Sequence, residues 1–214
     1  MFEVSILTTT TGLTQNEFDT LLHFVSPEKQ KRIKQFILFQ DAQNCLLGDI
    51  LVRVAICHFT ELNMQQLEFA VNPYGKPFLI NDPHIHFNIS HAGYYVTCVV
   101  ANEPVGIDIE IIKPIELRIA ERFFTSEEVA YIMSSEHMKR FYEIWTKKES
   151  RIKLEGKGLL KSLSSFSVLE SNQYERFAYH NILNNNEATC YVCSTKQAAP
   201  LVRTWSIDKI LSLF

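Results

Sequence analysis

The chain has 214 residues, 46% of them apolar, enough to bury a real core in one large domain or two small ones. A formal net charge of −3 lacks the basic bias that nucleic-acid binding requires, so no nucleic-acid partner is expected. Five scattered cysteines, an odd number, suit a reducing compartment better than a disulfide framework. With Glu3 early, no apolar run long enough for a signal peptide and no stretch long enough to span a bilayer, the expectation is a cytoplasmic protein without a membrane partner.

In the first half, Phe2, Val4 and Ile6 alternate as a strand, and a helix is predicted near Thr14. Ser26-Pro27 supplies an N-cap and a first-turn proline for a helix predicted to run toward Phe39. It carries Lys29, Lys31, Arg32 and Lys34, a pattern that fits a solvated face as well as an anion site. A second helix from about Asp41 to Phe59 has Leu46, Leu47, Ile50, Leu51 and Val54 at helical spacing, as a core helix would. Tyr74-Gly75-Lys76-Pro77 is a turn by composition, which leaves Lys76 unexplained. Ile85, Phe87 and Ile89 alternate with His86, Asn88 and Ser90 in a strand whose polar face ends at Ser90-His91, and another strand covers 94–101. The break at Asn102-Glu103-Pro104 divides the chain into halves, 1–102 and 103–214.

The second half opens on Val105-Gly106-Ile107-Asp108-Ile109-Glu110-Ile111, where β-branched residues alternate with Gly106, Asp108 and Glu110. Two carboxylates two residues apart on a strand point the same way, with Cα atoms roughly 6.5–7 Å apart. Such a pair repels itself unless water or a cation intervenes, and a hard metal ion is a natural occupant. A solvated acidic edge strand accounts for the pattern equally well. Thr125 and Glu128 form a capping box, a full structural explanation of that acid.

A long helix is predicted near 138–154. Phe141, Ile144, Trp145 and Ile152 form its apolar stripe, with Lys148 in the middle and Glu149 at the edge. A lysine in that place is a local inconsistency of the kind functional sites produce, unless it snorkels to solvent. Glu149 and Lys153 are one turn apart, as a routine ion pair or as a third carboxylate beside a cation awaiting an anion. Gly156 and Gly158 can end the helix, strands are expected from Ser164 onward, and Gly156-Lys157-Gly158 lacks the context of a P-loop. In Ala188-Thr189-Cys190-Tyr191-Val192-Cys193 the two cysteines fall on opposite strand faces and read as packing residues.

Gly106-Ile107-Asp108-Ile109-Glu110, then Phe123-Phe124-Thr125, then Trp145-Thr146-Lys147-Lys148-Glu149-Ser150-Arg151-Ile152-Lys153 together resemble the paired signature of the 4′-phosphopantetheinyl transferases. Tyr74-Gly75-Lys76-Pro77, Phe87-Asn88-Ile89-Ser90-His91-Ala92-Gly93 and Glu155-Gly156-Lys157-Gly158-Leu159 resemble the larger, surfactin-synthetase-activator (Sfp) type. The blocks run in order from about Ser26 to Val168.

The resemblance implies an α+β fold of two pseudo-symmetric halves, each a small, mostly antiparallel sheet packed on a long helix, with the active site in the cleft between them and the chain a monomer. It implies transfer of the phosphopantetheine arm of coenzyme A to a serine of an apo acyl or peptidyl carrier protein, releasing 3′,5′-ADP, in the service of nonribosomal peptide or polyketide synthesis. By the same resemblance Asp108, Glu110 and Glu149 hold Mg²⁺, with Mn²⁺ indistinguishable from ligand types. Glu149 is the candidate base and Lys153 the neutralising cation. Lys29, Lys31, Arg32, Lys76, Ser90, His91, Asp108 and Lys153 are the expected coenzyme contacts, with Asp108 also counted among the catalytic residues. Asn44 stands where such proteins commonly have an arginine, an amide in place of a guanidinium fork. Lys147, Lys148, Arg151, Lys153, Lys157 and Lys161 form a segment able to attract an acidic carrier. A magnesium-dependent phosphodiesterase, or an inactive coenzyme- or carrier-binding module, are the alternatives.

Overall fold

In the computed structural model of the chain, residues 2–158, 162–169 and 176–214 are described. Among the described residues its α+β architecture has two larger sheets, each backed by a long helix. Strands β1 (Phe2–Thr8), β4 (His86–Ala92), β5 (Tyr95–Ala101) and β9 (Leu201–Trp205) form a sheet in the order β4-β5-β1-β9. Its pairs are antiparallel except β1 with β9, which is parallel. Strands β6 (Val105–Ile111), β7 (Ala178–Asn184) and β8 (Ala188–Ser194) form an antiparallel sheet in the order β6-β8-β7. A two-stranded hairpin, β2 (Phe69–Val71) with β3 (Pro77–Leu79), stands apart.

The first sheet packs on α3 (Phe39–Phe59), whose buried residues run almost without break from Ala42 to Ile56. By length and composition α3 could cross a membrane, contrary to the expectation from sequence, but most of it is buried in the core of this fold. Helices α1 (Gln15–Leu22) and α2 (Pro27–Ile33) close that core. Thr14 and Glu17 cap α1 reciprocally, and Ser26 caps α2 ahead of Pro27. Helix α2 stops at Ile33 rather than continuing toward Phe39. Ile33 is its one buried residue and Lys34 to Phe39 are exposed, so no burial supports further turns.

The second sheet packs on α6 (His137–Glu155), joined by α4 (Arg118–Phe123) and α5 (Ser126–Ser134). The segment after α6 does not begin with strands at Ser164. Leu163–Ser165 is a short 3-10 turn, Phe166 and Val168 are buried against the α4–α6 core, and the next strand starts at Ala178. A third apolar cluster joins the two sheets, with Phe2, Val4 and Val99 from one and Ile107, Ile109, Cys190 and Val192 from the other. The chain also crosses back: β9 pairs with β1, while Trp205 and α7 (Ile207–Leu211) complete the core around α3.

Gly106 sets the distance between β6 and α6. A Cβ there would lie 2.0 Å from the Ser150 carbonyl oxygen and 2.4 Å from the Leu154 nitrogen, so backbone meets backbone. This approach brings the side chains of the strand and the helix to one place.

Candidate functional site

Strand β6 is a sheet edge by hydrogen bonding, yet it is covered. Edge strand β4 lies beside it, and Asn88 Oδ1 accepts the Ile107 N–H at 3.0 Å while Ser90 Oγ accepts the Ile109 N–H at 3.3 Å. Helix α6 covers one face. Asp108 is therefore buried rather than part of a solvated acidic edge.

Lys153 Nζ donates to Asp108 Oδ1 at 2.6 Å and to Ser90 Oγ at 2.9 Å, and Ser90 Oγ donates to Asp108 Oδ1 at 3.0 Å. Asp108 Oδ2 is buried without a hydrogen-bond partner. Burial pushes the Asp108 carboxyl up, against the pull of Lys153 and Ser90. Glu110 is pushed up to about 7, first by desolvation and then by Asp108, with Lys153 and a hydrogen bond from Trp145 opposing. Glu149 is raised by desolvation and by Asp108, with Lys153 opposing. Three carboxylates thus feel one another and share one ammonium.

This donor set fits a hard divalent cation: oxygen ligands, an orphaned carboxylate oxygen and unrelieved negative charge. Among the described residues, no three acids, histidines or cysteines are grouped closely enough to form a finished cage. Lys153 occupies the Asp108 oxygen that faces it.

The other expected residues separate into groups. His91, next to Ser90 on β4, is part exposed and part desolvated. Its imidazole is held below the ordinary value by partial desolvation, then by Lys153, with Lys29 adding and Asp41 opposing. Lys29 is half-exposed, 3.8 Å from Asp49. Lys31 and Arg32 lie on the exposed face of α2. Lys76 borders a cleft of about 380 Å³ with Tyr74, Asn88, Glu149, Lys153 and Gly156, but its Nζ donates to the carbonyls of Val105, Lys153 and Leu154. A larger cavity of about 570 Å³, lined by His23, Phe24, Cys57, His58 and Phe214 among others, contains none of the acids.

Two expectations are corrected. Lys148 neither snorkels nor reaches the cleft. It is fully buried, 2.8 Å from Glu128, and donates to the carbonyls of Leu163 and Phe166. Nor is the lysine-rich segment one basic face. Lys147 is buried against Glu143 at 2.7 Å, Arg151 pairs with Glu155 at 3.3 Å, and Lys157 is exposed, while Lys161 and Leu159 lie outside the described residues. Asn44 is buried in a structural role, donating to the Gly93 carbonyl and accepting from Gln40, both at 2.9 Å. Glu128 closes the α5 capping box and also accepts the Val168 N–H at 2.8 Å.

Sequence reasoning missed three residues. Asn88 bridges β4 to β6, and its signal was its place on the polar face that ends at Ser90. Trp145 read as core, and its indole hydrogen-bonds Glu110. Asn72, in the turn between β2 and β3, donates to the Gly156 carbonyl at 2.9 Å and carried no signal beyond turn composition.

Comparison with known proteins finds two matching family models. One, described as 4′-phosphopantetheinyl transferase, N-terminal, matches residues 13–104; the other, the 4′-phosphopantetheinyl transferase superfamily, matches residues 104–206. The chain is 46% identical over 159 residues to the 4′-phosphopantetheinyl transferase ffp of Bacillus subtilis, covering 73% of this chain and 71% of that protein. It is 44% identical over the same length and shares to the 4′-phosphopantetheinyl transferase Sfp of Bacillus subtilis strain 168. With psf-1 of Bacillus pumilus the identity is 38% over 197 residues, 91% of this chain and 79% of the relative.

Proposed function

The chain belongs to the Sfp-type 4′-phosphopantetheinyl transferases, and we propose that the site between β4, β6 and α6 is where it transfers phosphopantetheine from coenzyme A to a carrier protein. The observation that carries this reading is the buried Asp108 carboxylate, met on one oxygen by Lys153 Nζ at 2.6 Å and without a partner on the other, beside Glu110 and Glu149, whose carboxyls Asp108 raises and Lys153 lowers.

Residues 1–102 supply coenzyme contacts, and residues 103–214 supply the metal ligands, the catalytic helix and the carrier contacts. Ser90, His91 and Lys29 are the phosphate contacts nearest the acids, and Lys31 and Arg32 lie farther out on α2. Asp108, Glu110 and Glu149 are the residues that would hold Mg²⁺, or Mn²⁺ in its place. Such an ion would supply neutralisation of pyrophosphate charge there.

The carrier serine is a poor nucleophile near neutral pH and needs a base. Glu149 takes its proton, and desolvation and Asp108, by raising the Glu149 carboxyl, favour that acceptance. The serine oxygen bonds to the β-phosphorus, the bridging phosphorus–oxygen bond breaks, and 3′,5′-ADP leaves. Lys153 stabilises the charge that grows on the departing oxygen. Service as a monomer in the cytoplasm, in nonribosomal peptide or polyketide synthesis, is part of the same proposal, and the odd number of scattered cysteines suits that reducing compartment.

The test is the intact mass of an apo peptidyl carrier protein incubated with this protein, coenzyme A and Mg²⁺, beside an EDTA control. One phosphopantetheine mass gained on the serine, with 3′,5′-ADP released and both lost in EDTA, is expected. Asp108→Ala and Glu149→Ala abolish the gain while the fold persists, and normal turnover by either overturns the site. Carrier-independent cleavage of coenzyme A would instead indicate a hydrolase.

A further inference from the structure

The turn between β2 and β3 reaches the C-terminal end of α6. Asn72 Oδ1 accepts the N–H groups of Tyr74 and Lys76, each at 2.9 Å, which fixes the turn. Its Nδ2 donates to the Gly156 carbonyl at 2.9 Å. Lys76 Nζ lies 2.6 Å from the Lys153 oxygen, 3.1 Å from the Leu154 oxygen and 3.3 Å from the Val105 oxygen. The last carbonyls of a helix have no partner within it and carry the negative end of its dipole. Two of them are met here by one cation.

The third carbonyl belongs to the first residue of β6. One ammonium therefore ties the strand that bears Asp108 and Glu110 to the last turn of the helix that bears Glu149 and Lys153. Gly156 leaves room for it, since a Cβ there would lie 2.8 Å from Lys76 Cδ, and its φ of +66° ends the helix. Desolvation draws the Lys76 ammonium down to about 8, as expected for a cation held by carbonyls rather than by a carboxylate. An ammonium has three donors. All three are directed at backbone.

We propose that Lys76 is a positioning residue of the transfer site: its ammonium clamps the start of β6 to the end of α6 and thereby holds Lys153 against Asp108, without contacting a coenzyme phosphate. The proposal rests on the transferase reading. The 74–77 turn also borders the cleft, so a ligand that touches the turn is coupled to the helix that carries Glu149.

Lys76→Met keeps the length of the stem and removes the charge. Expected are a kcat lower by about 10- to 100-fold, because small misplacements of catalytic groups cost that much, and a coenzyme A Kd by calorimetry within about twofold of the parent. Amide exchange at Leu154, Glu155 and Gly156 should accelerate about tenfold or more as the last turn frays. A Kd weakened about tenfold with kcat intact would overturn the proposal and make Lys76 a coenzyme contact. Unchanged exchange at those amides would overturn it too. If Lys76→Met does not fold, Asn72→Ala is expected to give the same pattern at smaller size, and unchanged kcat and exchange in that variant overturn the clamp. Absence of transfer by the unaltered protein would fail the transferase reading, while the exchange measurement reads the clamp independently of any transfer.

Discussion

Gly106→Ala places one methyl group where β6 meets α6. Its Cβ would fall 2.0 Å from the Ser150 oxygen and 2.4 Å from the Leu154 nitrogen, whereas ordinary contact begins at 3.4 Å. Both obstacles are backbone, so the helix must retreat by roughly 1.4 Å, which is overpacking of a kind that costs about 1–3 kcal/mol. The upper end applies, because α6 is held on its other side by the apolar core around Phe141 and Ile144. For a chain of this size that lowers Tm by roughly 6–12 °C. The retreat also opens the 2.6 Å bond from Lys153 to Asp108 toward about 4 Å, and displacement by about 1 Å costs on the order of 100-fold in rate. Carrier loading followed by intact mass, beside a thermal melt, measures both. A variant with parental kcat and Tm would refute the close approach of α6 to β6.

Lys148→Met should cost about 3–5 kcal/mol, because it leaves the Glu128 carboxylate buried without its cation. Adding Glu128→Gln should recover part of the loss, and a melt in which the double variant is no better than the single would refute that account. Glu110, raised from 4.5 to about 7, holds its proton more tightly folded than unfolded, so stability is fullest below pH 4.5 and falls as pH rises toward 7. The fall is about 1–3 kcal/mol, the upper figure being the whole shift converted at 1.36 kcal/mol per unit and the lower allowing for solvent screening. Excess Mg²⁺ should flatten that slope in melts between pH 5 and 8, and identical slopes in Mg²⁺ and EDTA would count against Glu110 as a ligand. The His91 imidazole, depressed by desolvation and by Lys153, should titrate higher when 3′,5′-ADP is bound, and an NMR titration without an upward shift would remove His91 from the phosphate contacts.

The acids of β6 were legible because strand alternation is a local property, and so were the capping box at Thr125, the Ser26-Pro27 start of α2 and the core face of α3. Whether the acidic face was wet or buried was not legible. That depends on β4 and α6, which approach from 18 or more residues away in sequence. Lys148 showed as an inconsistency on an apolar stripe, but its resolution required Glu128 on α5 and two carbonyls beyond the helix. The lysines of α6 looked like one basic patch because a linear reading cannot see that Glu143 and Glu155 neutralise two of its members. Phe166 and Val168 alternate as a strand would, yet the Phe166 carbonyl serves Lys148 rather than a ladder. Lys76 was conspicuous in its turn. The helix end that it caps lies 77 residues downstream.

The seam between β4 and β6 yields a last prediction. Two edge strands that join by a backbone ladder turn alternate side chains away from each other. Here the side chains of Asn88 and Ser90 accept the N–H groups of Ile107 and Ile109, which leaves Ser90 Oγ facing Asp108 and Lys153. Ser90 is thus a joint of the fold as well as a candidate phosphate contact, and the two roles separate experimentally. Ser90→Ala takes the Ser90 acceptor from the buried Ile109 N–H, leaving it only the Asp108 carboxylate, and removes one bond each from Asp108 and Lys153. Loss of a buried donor's acceptor costs about 1–3 kcal/mol, so Tm should fall by roughly 2–12 °C without coenzyme present. Asn88→Ala should do the same through Ile107, although Asn88 has no charged partner in the site. If Ser90→Ala weakened coenzyme A binding while leaving the ligand-free Tm unchanged, the serine would be a phosphate contact alone, and the seam would have to be held by the apolar cluster of Val99, Ile107 and Val192.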